Sequence, residues 1–194
     1  MDSTVRGEDW YARDLGQEVF TRVAFFDVDF TEGTSAGTVF EEGSFSNVKF
    51  NVSTHTETAF INCTFRGCNF FDARFVRCKL IGSTFVECSF DIVKVSGGNW
   101  GFVGLAGVKL AGASFDTVNL READLSGVQC SGASFLSCDL SGALLHLAEF
   151  AGADLRGSDL SAFNTATVGM RGVVITAGQA VVLAEASGLI VRPD

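Results

Sequence analysis

The 194-residue chain has 47% hydrophobic residues and a net charge of −9, which suits one folded domain and argues against direct nucleic-acid binding. It contains no run of 18 apolar residues, so we expect no transmembrane helix and no membrane partner. Residues 1–17 are acidic and polar, unlike a secretory signal, and we therefore expect a cytoplasmic protein.

From residue 20 onward, one residue class occupies every fifth position. The positions divisible by five from 20 to 160 are large and apolar, mostly Phe in the first half and Leu in the second, except Ser35, His55 and Cys130. The position two residues earlier, from Val23 to Ser158, holds only Val, Gly, Thr, Ser, Cys or Ala. Gly recurs two residues after the large residue, which is typical of a turn.

This period fits neither a regular α-helix nor a flat strand. Residues five apart point about 140° from each other on a helix and to opposite faces on a strand. The chain must therefore turn once in each repeat, which predicts a solenoid with a continuous interior column of alternating large and small side chains. Because the register never slips between 20 and 160, no projecting loop is expected.

The two polar positions in this column allow several interpretations. His55 follows Ser35 by twenty residues, and the pair could mark a local bulge, a solvent-open corner or a small site. A distorted first stretch of the solenoid explains both residues more simply than a site does. The other histidine, His146, is predicted to point outward.

The six cysteines fit the interior of the solenoid better than a metal site or a disulfide. Five occupy the small position and Cys130 a large one, and there is no Cys-x-x-Cys motif or Cys/His cluster. A bridge between Cys68 and Cys88, twenty residues apart, is conceivable, but small buried thiols are the favoured interpretation. We therefore expect no metal, no cofactor and no catalytic residue, so that the chain is not an enzyme.

The repeat pattern ends after Ser161, and a short helix is predicted beyond it. Thr176 and Gln179 form a capping box, and a helix is expected from Ala177 to Ser187, ending at Gly188. Because the helix is apolar on nearly every side, we expect one face to cover the last coil and the other to meet a second chain. The predicted dimer interface comprises Val181, Val182, Leu183, Ala184, Leu189 and Ile190. The alternative is a monomer whose helix lies flat on its own coil.

Several repeats are close to the consensus of the pentapeptide-repeat family. The clearest are residues 123–127 (Ala-Asp-Leu-Ser-Gly), 138–142 (Cys-Asp-Leu-Ser-Gly) and 153–157 (Ala-Asp-Leu-Arg-Gly). The resemblance implies an all-β fold, a right-handed four-sided β-helix with twenty residues per coil. It would occupy residues 1–175, with clear repeats at about 18–162, followed by a dimerisation cap at 176–194.

The loop-free repeats and the tail that begins at Thr176 also resemble a smaller group, the MfpA-like fluoroquinolone-resistance proteins related to Qnr. That resemblance implies a homodimer that mimics duplex DNA, binds DNA gyrase and modulates it or protects it from poisons. Assigning residues 18–167 to four sides gives net charges of −3, −2, −3 and +1. The predicted partner-binding residues are Glu41, Glu42, Glu122, Asp124, Asp139, Asp154 and Asp159. The alternative function is a scaffolding solenoid with a different protein partner.

Overall fold

The computed structural model describes residues 1–192, so the last two residues of the predicted cap lie outside the described part. Its elements are fourteen short strands and one C-terminal helix. The strands are β1 (Ser3–Arg6), β2 (Val19–Thr21), β3 (Val23–Phe26), β4 (Thr34–Ala36), β5 (Val39–Glu41), β6 (Ser44–Ser46), β7 (Thr54–Thr56), β8 (Ala59–Ile61), β9 (Thr64–Arg66), β10 (Arg74–Val76), β11 (Thr84–Val86), β12 (Lys94–Ser96), β13 (Ser114–Asp116) and β14 (Ser134–Leu136). The helix α1 spans Ala177–Ala186.

Every strand pairs in parallel with a strand one coil away, twenty residues along the chain. Phe25 is paired with Phe45, for example, and Phe75 with Val95. The strands form sheets in the orders β1-β3-β6-β9-β11, β4-β7-β10-β12-β13-β14 and β2-β5-β8, while isolated bridges such as Asp29 to Lys49 hold the fourth side. The predicted four-sided β-solenoid is thereby confirmed.

The residues at every fifth position form the interior column. Phe25, Phe45, Phe65 and Phe85 stack with ring centroids 4.5–4.8 Å apart and planes within 9° of parallel. Such aromatic pairs contribute about 0.5–1.5 kcal/mol each beyond the area they bury. The column starts earlier than the clear repeats predicted, since Trp10 and Leu15 are also buried and β1 pairs with β3.

The turn position, two residues after each large residue, has a left-handed backbone whether or not it holds Gly. Eighteen non-glycine residues have φ between 50° and 58°, and all of them lie at this position. The conformation costs an ordinary residue up to about 1–2 kcal/mol, least for Asn and Asp, so the solenoid imposes it against local preference. The predicted turn is therefore confirmed, and it extends to repeats that lack Gly.

The expected distortion at Ser35 and His55 is wrong. Both residues lie in regular strands, with Ser35 paired to His55 and His55 to Phe75, and both are buried. The His55 ring stacks on Phe75 with a centroid distance of 4.9 Å. There is neither a bulge nor an opening to solvent, so these polar side chains are part of the packed column.

The C-terminal helix begins at Ala177 as predicted and ends at Ala186, one residue before the predicted Ser187, which is its C-cap. The Thr176 hydroxyl accepts from the backbone of Gln179, whose side chain accepts in return from the Thr176 backbone. Gly188, with φ of 85°, ends the helix, and Leu189 N–H donates to Ala184 O at 3.0 Å. None of the described residues belongs to a helix long and apolar enough to cross a bilayer.

Candidate partner-binding surfaces

The side of the solenoid centred on residue 20 and every twentieth residue after it carries a row of carboxylates, which we call the acidic face. Glu41 and Glu42 lie at one level, and Glu122 lies four coils further along, about 19 Å away at roughly 4.8 Å per coil. Asp139 and Asp159 occupy the next two levels. The structure thus brings five of the seven predicted binding residues onto one face.

The remaining two predicted residues lie elsewhere. Asp124 belongs to the neighbouring side, and Asp154 to the side that carries a net positive charge. Asp154 is also engaged, because Arg156 Nε and Nη2 donate to its two oxygens at 2.9 and 2.7 Å. This contact with Arg156 holds the pKa of Asp154 below its usual range. Asp154 is therefore the least suited of the seven to bind a cationic partner.

Most carboxylates of the acidic face lack salt bridges, in contrast to most cations of the other sides, although Glu18 on this face binds Arg13 at 3.2 Å. On those sides most cations within the described residues are paired, as in Asp29–Lys49 at 3.0 Å and Glu57–Arg77 at 2.9 Å. Within residues 1–192, Glu41, Glu42, Glu122, Asp139 and Asp159 form no salt bridge. Arg22, the base nearest to Glu41 and Glu42, instead binds Asp2 at 2.6 Å. These five carboxylates are therefore unpaired, and because Lys79 and Arg121 also lie on this side, the net charge of the acidic face is −3.

The aspartates of this set also have a structural role that the sequence analysis missed. In Asp124, Asp139, Asp154 and Asp159, Oδ1 accepts from the backbone N–H two residues later at 2.8–3.2 Å. The hydrogen bonds from Ser141 lower the pKa of Asp139. Each carboxylate thus caps a turn with one oxygen, as expected for an Asx turn, and the other oxygen remains available in Asp124, Asp139 and Asp159 but binds Arg156 in Asp154. The carboxylates of Glu41, Glu42 and Glu122 accept no such backbone hydrogen bond.

A second candidate surface is the apolar end at the C-terminus. Leu183 and Gln179 face inward and are buried, with Leu183 packed on the core, so Leu183 cannot serve the predicted dimer interface unless the helix detaches. Val181 and Val182 are exposed, as are Leu189 at 63% and Ile190 at 82%. The end surface, defined as Val181, Val182, Leu189, Ile190 and Val191, is therefore apolar and open.

The buried cluster around His55 has its hydrogen bonds satisfied. The Ser53 hydroxyl donates to Phe50 O at 2.7 Å, so it accepts from His55 Nε2, 3.0 Å away. His55 Nδ1 then accepts from Ser35 Oγ at 2.7 Å, and Ser35 Oγ accepts from Thr58 Oγ1 at 2.7 Å. Burial lowers the pKa of His55 to about 3. A neutral, enclosed imidazole holds the column together and has no route to a substrate.

The six cysteines are free, and five of them are buried. Burial raises the pKa of Cys63 to about 12 and that of Cys78 to about 11. The prediction of small buried thiols is confirmed for these five, whereas Cys88 is only half-buried. No group of three or more potential metal ligands occurs in residues 1–192.

Comparison with known proteins gives a family for the repeats. The model of the family described as pentapeptide repeats matches eight copies, over residues 56–91, 105–129 and 123–161. No curated protein sequence matches the chain. Together with the parallel coils, the matched residues identify the β-solenoid of this chain as one built from pentapeptide repeats.

Several solved structures are also similar to the chain. One is HetL, a pentapeptide repeat protein involved in heterocyst differentiation regulation from the cyanobacterium Nostoc, with 15% identity over 88% of this chain and 82% of that chain and a TM-score of 0.46. Another is trypsin-treated QnrB1, a plasmid-mediated fluoroquinolone resistance protein, with 23% identity over 98% of both chains and a TM-score of 0.44. A third is Rfr23 from the cyanobacterium Cyanothece, with 13% identity over 87% of this chain and 91% of that chain and a TM-score of 0.33. The family match itself extends over residues 56–91 and 105–161, where the chain consists of pentapeptide repeats.

Proposed function

We propose that this chain is a DNA-mimicking protein that binds DNA gyrase through its acidic face. By occupying the site of the duplex, it would modulate the enzyme and confer resistance to quinolones or other gyrase poisons. The observation that carries the proposal is the row of unpaired carboxylates on one side of a loop-free solenoid. Such a row can meet the cations that a DNA-binding groove presents to phosphates.

The dimensions support the same function. The ladder from Ser3 to Val174 is about 40 Å long at roughly 4.8 Å per coil, and end-to-end pairing through the end surface would double it. A duplex of 40 Å carries roughly 24 phosphate charges, far more than the net −9 of this chain. Shape and a few positioned carboxylates, chiefly Glu41, Glu42 and Glu122, therefore have to supply most of the specificity.

The test measures binding of the full-length chain to gyrase holoenzyme, together with a supercoiling assay. Glu42→Lys and Glu122→Lys should each weaken binding about tenfold, which corresponds to about 1.4 kcal/mol. Glu57→Lys is the matched control, because Glu57 occupies the same turn position with φ of 50° but lies on the side with net positive charge. Its affinity should stay within about twofold.

Salt provides a second arm of the same test. Contacts between exposed charges are screened at higher ionic strength, so the affinity of the wild type should fall steeply between about 50 and 300 mM salt. Failure to bind gyrase at micromolar concentration and low salt would exclude the proposal. An equal loss in Glu57→Lys would show that net charge alone matters and not the acidic face.

One observation favours the alternative, a scaffolding solenoid with another protein partner. Val52, Phe71 and Ile92 are each more than 40% exposed on the side centred on residue 30, and Val52 N–H donates to Phe71 O at 2.8 Å. A contiguous apolar patch of this kind suits a protein interface and serves no purpose in charge mimicry. Loss of gyrase binding in Phe71→Ser, with the acidic-face variants unaffected, would favour an interface centred on this patch.

A further inference from the structure

Cys68 and Cys88 differ from the other cysteines in their arrangement. They are the one pair in the sequence separated by a full coil of twenty residues. Cys63, Cys68, Cys78 and Cys138 direct Sγ inward to the carbonyl oxygen 23 residues earlier, at 3.2–3.6 Å. Cys88 instead bonds only to Val86 O at 3.4 Å and is half-buried. Its thiol is thus placed differently from the others in the same slot.

A surface cleft gives solvent access to Cys88, whereas Cys68 is buried. The cleft has a volume of about 470 Å³ and is lined by residues of three successive coils, among them Cys68, Cys88 and Val108. Gly107 forms part of the wall of the cleft. The space beside it is open, because a Cβ atom added to Gly107 would meet no atom within 4 Å. A small polar oxidant can therefore reach Cys88, whereas Cys63, Cys78 and Cys130 are sealed in the column.

The backbone holds the two cysteines at a distance that a disulfide can span. Gly67 N–H donates to Val86 O at 3.0 Å, and Ser89 N–H donates to Cys68 O at 3.1 Å, so the ladder is intact on both sides of the pair. In-register coils place the two Cα atoms roughly 4.8 Å apart, and disulfides span about 4.4–6.8 Å.

The thiols also differ in acidity. The neighbouring Cys68 thiol lowers the pKa of Cys88 against the opposing effect of burial. The proximity of Cys88, together with burial, raises the pKa of Cys68. The accessible member of the pair is therefore the better nucleophile, because the thiolate and not the thiol reacts.

We propose that Cys88 and Cys68 form an oxidisable dithiol in which Cys88 attacks a hydroperoxide and Cys68 resolves the product as an inter-coil disulfide. In the first step the Cys88 thiolate takes one oxygen atom from hydrogen peroxide, giving a sulfenic acid and hydroxide. In the second, the Cys68 sulfur displaces the sulfenic hydroxyl, which leaves as water with the Cys68 proton. Both sulfurs are oxidised, peroxide is reduced to water, and a thiol such as glutathione reverses the reaction.

Peptide mapping of the native full-length protein after exposure to hydrogen peroxide tests this inference. Trypsin separates the cysteines by their flanking basic residues, placing Cys68 in peptide 67–74, Cys88 in 80–94 and Cys78 in 78–79. The expected product is a cross-linked pair of peptides 67–74 and 80–94 that dithiothreitol separates. In native protein at neutral pH, iodoacetamide should alkylate Cys88 at least about tenfold faster than Cys63, Cys78 or Cys130.

Two variants assign the roles. Cys68→Ala is compatible with the fold, because alanine already occupies the small interior position at Ala73. In this variant a sulfenic acid should persist on Cys88, where dimedone traps it. Cys78→Ala is the matched control and should form the cross-link at the wild-type rate. If Cys88 reacts no faster than the sealed cysteines, or if wild-type Cys88 proceeds to sulfinic acid without a cross-link, the inference is wrong. Neither result depends on gyrase binding.

Discussion

At His55 the column of stacked rings continues through a polar side chain. The imidazole keeps both nitrogens hydrogen-bonded, to Ser53 and Ser35, while its ring packs on Phe75. An unsatisfied buried polar group would cost about 1–3 kcal/mol, and this network avoids that cost. Sequence spacing located the polar pair but not its partners, because Ser53 and Thr58 occupy the small slot of other repeats and look like ordinary packing residues.

The burial of His55 predicts acid sensitivity. The unfolded state takes up a proton near pH 6.5, whereas the folded state resists protonation down to about pH 3, so stability falls as the pH drops through this window. We expect the free energy of unfolding to decrease by about 2 kcal/mol between pH 6.5 and 5. Denaturant titrations at pH 7, 6 and 5 measure this decrease.

The variants His55→Phe and His55→Leu isolate this contribution. Both should unfold with almost no dependence on pH above 5, whatever their absolute stability, since neither side chain titrates. The native carboxylates with lowered pKa values, such as Asp139 and Asp154, act in a lower window, mainly below pH 4. A slope in these variants equal to that of the wild type would contradict the assignment.

Among the elements, helix α1 closes the solenoid through one polar side chain. Gln179 Nε2 donates to both Leu155 O and Ser158 O at 2.7 Å, and its Oε1 accepts from Thr176 N–H at 2.8 Å. These carbonyls belong to the last regular coils, where no further strand provides donors. Gln179 therefore completes the hydrogen bonding of the open end while Leu183 covers the core beside it.

Replacing Gln179 should detach this cap. Gln179→Leu leaves Ser158 O without a donor, whereas Leu155 O still accepts from Ser158 N–H at 3.1 Å. The change also removes half of the capping box, so we expect a loss of about 1–3 kcal/mol. Gly178→Ala is the control one residue away, because its Cβ meets no atom within 4 Å and helix propensity predicts a gain of up to about 1 kcal/mol. Hydrogen exchange should show faster exchange in α1 of Gln179→Leu; unchanged protection would contradict this role.

For the whole molecule, the open end surface determines the expected oligomeric state. Exposed Leu189 and Ile190 adjoin the end of the rod, and we expect them to pair with the same residues of a second chain about a two-fold axis. Ile190→Asp should convert a dimer into a monomer, as measured by light scattering over a concentration series. Leu144→Asp, at a residue 59% exposed on the flank of the rod, should leave the mass unchanged. A wild type that is monomeric at high concentration would refute this pairing.

The sequence by itself determined the coil. A large residue every fifth position, with a small one two residues before it, is compatible only with a chain that turns once per repeat and stacks on itself, because no other geometry buries that column. It also predicted the capping box and the end of α1, since these depend on contacts between residues a few positions apart. The clear repeats begin only at about residue 18, within a β-helix predicted from residue 1, because the coil that contains Trp10 has fewer of these markers.

Only the tertiary structure decided which surface residues are available to a partner. Side-chain positions decide that Arg156 neutralises Asp154 and that Arg22 binds Asp2 instead of the acidic face. They also decide that Leu183 faces inward. The same holds for the different placement of Cys88 relative to the other cysteines in its slot. A repeat specifies the backbone of every coil in the same way, whereas such pairings arise between particular side chains that the repeat leaves free.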